Sequence, residues 1–179
     1  MAYFTESQLR DHATRLKYAS TTFANIKTFS GQAQTTIFLS HSSKDRELAQ
    51  GLVYYLGSLG ITVYVDWNDS DMPRVTNRET AEKLKGKIKE NALFMILATR
   101  NALESKWVPW EVGIADQCKG EQSMVLVPVA DSSGRFEGNE YLQLYQRVEE
   151  SLGSFQVIRP GRYAGDALGG FIKASAMKL

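Results

Sequence analysis

From Thr35 onward, short β-branched runs alternate with longer stretches of helical periodicity. That alternation argues for a parallel sheet with helices on both faces. The first run, residues 35–40 (TTIFLS), ends in the polar turn His41-Ser42-Ser43-Lys44-Asp45. Leu48, Leu52, Tyr55, Leu56 and Leu59 then recur at helical spacing, and Gly60 stands where a left-handed C-terminal residue belongs. The second run, residues 61–66 (ITVYVD), is followed by a polar loop over 67–78 that contains Asp69, Asp71 and Pro73. The spacing of Ala81, Leu84 and Ile88 predicts a helix over 79–90. Residues 92–97 (ALFMIL) are apolar throughout, as a strand buried on both faces should be. A loop is expected over 101–106 and a helix over 107–117, with Pro109 in its first turn. The fourth run covers 124–129 and the turn cluster 131–134 follows. A helix over 141–152 would turn Tyr141, Leu144, Tyr145 and Val148 inward. A fifth short strand over 155–158 and a last amphipathic helix over 164–177 complete the reading.

Five strands with intervening helices fit a flavodoxin-like α/β fold, a five-stranded parallel sheet of order 2-1-3-4-5. In such sheets the ligand crevice lies at the carboxyl ends of the strands where the order reverses. The first and third strands flank that point, so chemistry is expected in the loops after Leu39 and after Leu97. Residues 35–179 form this domain, and residues 1–34 read as a short N-terminal helical extension. Leu9, Leu16, Phe23 and Ile26 give that extension an apolar side, for packing against the domain or for contact with a second molecule.

Composition removes several function classes. With 21 Lys and Arg against 20 Asp and Glu, the net charge is +1. No broad field steers the chain onto nucleic acid or an anionic membrane. Cys118 is the single cysteine, so no intramolecular disulfide forms, and it is expected to be a small core residue on a helix. One Cys with two histidines, His12 and His41, does not supply a metal-ligand cluster, and neither a metal nor a cofactor is expected. No apolar run is long enough to span a bilayer, and the N-terminal twenty residues lack a signal-peptide core. These features favour a cytoplasmic protein.

The two loops at the crevice hold the densest polar and aromatic clusters in the chain. One is Ser40-His41-Ser42-Ser43-Lys44-Asp45, the other Ser105-Lys106-Trp107-Val108-Pro109-Trp110-Glu111. Positions i, i+3 and i+4 share a helix face, so Trp107, Trp110 and Glu111 project together from the first turn and a half. Two tryptophans at that spacing also serve as core, and a first-turn Glu also complements the helix dipole. Beside a carboxylate, however, a large aromatic surface at the switch point suits a flat, positively charged ligand. Ser42 and Ser43 precede a helix N-terminus, where phosphate is favoured, or Ser43 is an N-cap. His41 either bonds a phosphate or orders its loop. Asp66 and Trp67, at the end of the second strand, either line the far wall or organise the loop behind them.

The run Thr36-Ile37-Phe38-Leu39-Ser40-His41-Ser42-Ser43-Lys44-Asp45 closely resembles the first-strand signature of TIR (Toll/interleukin-1 receptor) domains. Residues 61–66 with the loop after them resemble the second strand and BB loop of that family. Ser105-Lys106-Trp107 with Glu111 four residues on resembles the S-x-W-x-x-x-E segment of enzymatic TIR domains, in which the Glu is catalytic. The resemblance covers about residues 35–158. It implies cleavage of NAD⁺ at the nicotinamide–ribose bond, giving ADP-ribose or a cyclic or derivatised ADP-ribose signal. Glu111 is then the catalytic residue, and Trp107, Trp110, Ser105, Ser43, His41, Asp66 and Trp67 surround the substrate. NAD⁺ is a substrate here, not a cofactor. The family further implies self-association through the TIR domain and its BB loop, about 66–78, and a downstream effector that reads the nucleotide product. A TIR domain with no receptor or repeat region resembles the stand-alone bacterial TIR proteins of anti-phage defence, such as the Thoeris systems.

Other functions compete with this reading. A non-enzymatic scaffold that uses only TIR–TIR contacts is the main alternative, although adaptor TIR domains often lack a Glu at this position. A response-regulator receiver shares the strand order but needs acids where Leu39-Ser40-His41 stand and a phosphorylatable Asp where Ala98-Thr99-Arg100 stand. A nucleoside deoxyribosyltransferase, which also sets a Glu against ribose, is the remaining option.

Overall fold

The computed structural model describes residues 2–18, 36–69, 77–136 and 138–176. The strands are β1 (Phe4–Thr5), β2 (Thr36–Ser40), β3 (Thr62–Tyr64), β4 (Leu93–Ala98), β5 (Met124–Ala130), β6 (Gln146–Ser151), β7 (Ser154–Ile158) and β8 (Asp166–Ala167). The helices are α1 (Glu6–Tyr18), α2 (Arg46–Ser58), α3 (Arg78–Glu90), α4 (Arg100–Leu103), α5 (Val108–Lys119) and α6 (Leu168–Ala176). The sheet runs β3-β2-β4-β5-β6-β7-β8, and β1 pairs with β5. From β3 to β6 every pairing is parallel. The first four sequence runs therefore occupy the expected 2-1-3-4 order, and the switch point lies between β2 and β4.

Strand periodicity sorts the core into two layers. On β2, Ile37 and Leu39 face one side, where Leu48, Leu52 and Leu56 of α2, Leu168 and Ile172 of α6, and Phe4 and Leu9 pack against them. Phe38 faces the other side with Leu84 and Ile88 of α3, Ala102 of α4, and Val108, Val112 and Ala115 of α5. Both faces of β4 are covered, and all six of its residues are buried. Asn77 begins α3 with a capping box: its side chain accepts from the Thr80 N–H, while the Thr80 hydroxyl accepts from the Asn77 N–H. Gly60 has φ +73° after α2, as expected of a left-handed C-terminal residue.

The N-terminal segment is built into the sheet and the larger core. Phe4 stacks on Phe155 at 3.6 Å between ring centroids. α1 lies so close to α2 that a Cβ on Gly51 would stand 1.9 Å from the Leu9 carbonyl oxygen. Only a residue without a side chain fits there. Of the apolar side expected for this segment, Leu9 is buried; the side chains of Leu16, Phe23 and Ile26 lie outside the described residues, as do Asp71 and Pro73 of the BB loop.

Five expectations are corrected. Residues 141–152 are not a helix: a 3-10 turn (Glu140–Leu144) leads into β6, which forms a hairpin with β7. Tyr145 and Val148 satisfy helical and strand spacing alike, and cross-strand pairing decides between them. The fifth parallel strand is therefore β6, while β7, over the expected 155–158, is antiparallel to it. The expected loop over 101–106 begins inside α4, capped by the Thr99 hydroxyl, which accepts from the Ala102 N–H. The final helix starts at Leu168 rather than 164, because Asp166–Ala167 first pair with β7 as β8. Cys118 is exposed, since it lies on the solvent side of the last turn of α5.

Candidate active site

β2, β3 and β4 deliver their last residues to one end of the sheet, and α5 starts above it. Pro109 occupies the first turn of α5, where its missing N–H is not needed. The Ser105 hydroxyl accepts from the N–H groups of Trp107 and Val108, at 3.2 and 3.4 Å, and so closes the open start of that helix. The Glu111 N–H donates to the Trp107 carbonyl at 2.9 Å, which sets these residues one turn apart on the same face. The Trp107 and Trp110 rings meet edge to face at 5.4 Å and are partly buried against the core beneath α5.

Glu111 is 7% exposed and Ser40 1%. The Ser40 hydroxyl donates to Glu111 Oε2 at 2.5 Å. Burial pushes the Glu111 carboxyl up to about 8; the Ser40 hydrogen bond opposes that shift, and the negative charge of Asp66 adds to it. No cation pairs with Glu111 among the described residues. Its carboxyl stands beside the last residue of β2.

A second polar and aromatic group follows β3. Asp66 is half-exposed and accepts from the Trp67 N–H at 2.8 Å. His41 Nε2 approaches Asp66 Oδ1 at 3.9 Å. His41 Nδ1 lies 3.1 Å from the Leu39 carbonyl, which only accepts, so Nδ1 carries the proton. Burial lowers the pKa of this imidazole, while Asp66 acts the other way. The His41 ring meets Trp67 edge to face at 4.4 Å, and the Arg46 guanidinium lies 5.3 Å from the Trp67 ring centre.

Ser43 is exposed on the turn that precedes α2, and the N-cap role considered for it belongs to Ser42, whose hydroxyl accepts from the Lys44 N–H at 3.4 Å. Ser40 thus holds Glu111, His41 lies against Asp66 and Trp67, and the charge of Asp66 reaches Glu111. Trp107, Trp110 and Ser105 share the start of α5, and Ser43 stands on the rim.

Ser40 and Asp45 stand in the first polar cluster with no role expected of them, and none is expected of Thr99 or Arg46. Ser40 was legible in principle: two residues after Phe38, it falls on the α5 face of β2 by strand alternation. Asp45 is buried, and its partners Thr99 and Asn101 lie more than fifty residues away. No local pattern announces that contact. Among the described residues no group of three or more His, Cys, Asp or Glu is placed to hold a metal, and no helix is long and apolar enough to cross a membrane.

Residues 37–155 match the family model of the TIR domain. The chain belongs to the TIR family. Two curated proteins are similar to it. A probable 3' cyclic ADP-D-ribose synthase ThsB' of Bacillus cereus (strain MSX-D12) is 38% identical over 116 residues, covering 63% of this chain and 59% of the relative. A putative cyclic ADP-D-ribose synthase TIR2 of Cytobacillus dafuensis is 26% identical over 113 residues, covering 54% of this chain and 30% of the relative. The matches thus span less than two thirds of either relative's length.

Proposed function

We propose that this TIR protein cleaves NAD⁺ at the nicotinamide–ribose bond and closes the remaining ADP-ribose into a cyclic signal, in the service of bacterial anti-phage defence. The observation that carries this reading is the buried Glu111 carboxyl at the switch point, hydrogen-bonded to the last residue of the first strand. The names of the two relatives, both cyclic ADP-D-ribose synthases, support it.

The chemistry suits one carboxylate. When the C1–N bond of the nicotinamide riboside breaks, its electron pair goes to the pyridinium ring, and nicotinamide departs neutral. No acid is needed on the leaving group. Positive charge grows on the ribose C1 and ring oxygen, as in glycoside cleavage, and the ionised Glu111 carboxylate steadies it. Trp107 offers an indole face to the pyridinium, worth on the order of 1 kcal/mol, and Trp110 shapes the ribose side. Asp66, His41 and Trp67 form the far wall. Ser43 meets a phosphate at the rim, while Ser105 holds the helix start that carries Glu111. An internal nucleophile of the ADP-ribose unit then bonds to C1 and loses its proton, which gives a cyclic product; water in that place gives ADP-ribose.

Burial of an uncharged Glu111 costs little before the substrate arrives. A cationic nicotinamide beside it then favours ionisation, so substrate entry itself prepares the carboxylate. Self-association through the BB loop, about 66–78, and a separate effector that binds the product complete the proposal. Mass spectrometry of the products made from NAD⁺ tests it. Nicotinamide together with a cyclic ADP-ribose isomer is expected; intact NAD⁺ after incubation at high protein concentration counts against it.

A further inference from the structure

We propose that Ser40 is a positioning residue for this reaction, its hydroxyl pinning Oε2 of Glu111 so that Oε1 is the oxygen turned toward the ribose. The inference rests on the NAD⁺-cleaving reading and assigns a part to a residue that the S-x-W-x-x-x-E segment does not contain.

A glutamate side chain has three rotatable bonds, and α5 fixes only its root. Ser40 is the last residue of β2, held in the sheet by β4 through the Ser40–Ile96 register. Its Oγ lies 2.5 Å from Oε2, and both residues are buried. The contact therefore ties the free end of Glu111 to the parallel sheet. Among the described residues Oε1 has no hydrogen-bond partner. One oxygen is held and the other remains for a ligand, as a group that must meet a developing charge requires.

The surroundings leave this duty to Ser40. On the α5 side, β2 presents Phe38, β4 Ile96 and Ala98, and β5 Met124 and Leu126; α3 adds Leu84 and Ile88, and α4 adds Ala102. All are apolar. Asp66, after β3, is the charged group whose field reaches Glu111. His41 faces Asp66, and Asp45 is engaged by Thr99 and Asn101. The Ser40 hydroxyl is thus the donor that opposes both burial and Asp66, and its loss moves the carboxyl further from ionisation.

The test compares wild type, Ser40→Ala and Ser40→Thr. The Glu111 carboxyl is titrated by carbon NMR on glutamate-labelled protein, assigned with Glu111→Gln, and nicotinamide release is followed against pH. In Ser40→Ala the carboxyl midpoint is expected to rise by about one pH unit. The acid limb of kcat/KM moves with it, and kcat/KM at neutral pH falls about tenfold. Ser40→Thr, which keeps the hydroxyl, holds the wild-type midpoint. An unmoved midpoint in Ser40→Ala, or an equal rise in Ser40→Thr, overturns the assignment. The titration needs no turnover. A wild type that releases no nicotinamide therefore sinks the NAD⁺ reading, while the midpoint still decides what Ser40 does to Glu111.

Discussion

Asp45 and Thr99, fifty-four positions apart, are joined by a buried 2.5 Å hydrogen bond from the Thr99 hydroxyl to Asp45 Oδ2. The other carboxylate oxygen accepts from Asn101 Nδ2 at 2.6 Å. One aspartate thus clamps the turn after β2 to the turn after β4, the two loops that flank the switch point. Both hydrogen bonds tie the end of the turn before α2 to the end of β4 and the start of α4.

Removing the clamp should loosen the site before it unfolds the protein. Asp45→Ala deprives two donors of a charged acceptor, and each such bond is worth about 1.5–3 kcal/mol. A loss of about 3 kcal/mol is expected in denaturant unfolding, with increased hydrogen exchange in residues 41–45 and 99–104. Unchanged stability and exchange would show that the two turns are held by other contacts.

The order of strands, the switch point and the Trp107–Glu111 pair were legible because each is encoded locally, in alternating apolar runs, polar turns and helical spacing. Residues 141–152 were misread because Tyr145 and Val148 suit either period. The hairpin turn that decides for strand holds Leu152 at φ 52°, before Gly153 at φ 77°. Asn or Gly is the usual first residue of such a turn, and a leucine conceals it. The Asp45 clamp and the Ser40–Glu111 contact stayed hidden for another reason: each joins elements that only the sheet brings together.

That leucine makes a prediction of its own. Leu152 is fully exposed and sits in a backbone region that disfavours it. Leu152→Asn should stabilise the fold by about 0.5–1 kcal/mol, read as a higher midpoint in urea. A lower midpoint would mean that the leucine is held by a contact the isolated chain does not show.

Glu111 should also make stability depend on pH. Its carboxyl is raised from 4.5 to about 8 in the folded chain. The folded state then holds a proton that the unfolded chain has released, so the contribution is fully present below about 4.5 and is lost as pH rises through about 8. Glu111→Gln removes the effect. Its stability advantage over wild type should grow from a small value at pH 5 to a plateau above pH 8, on the order of 4 kcal/mol. An advantage independent of pH would contradict the raised value.

The same group should shape the rate. In the free enzyme the carboxylate form is scarce below about 8, so kcat/KM for NAD⁺ should climb with pH toward that value. With the cationic substrate bound, the acid limb of kcat should lie lower, because opposite charge favours ionisation. Identical limbs in the two profiles would rule out a direct encounter between the substrate's charge and Glu111.

The measurement that bears most directly on the whole account is the rate of nicotinamide release from NAD⁺ by wild type and by Glu111→Ala, at matched concentration and with both shown to be folded by thermal melting. The account predicts release by wild type and a loss of at least about a hundredfold in the variant. Equal rates from the two proteins would contradict it.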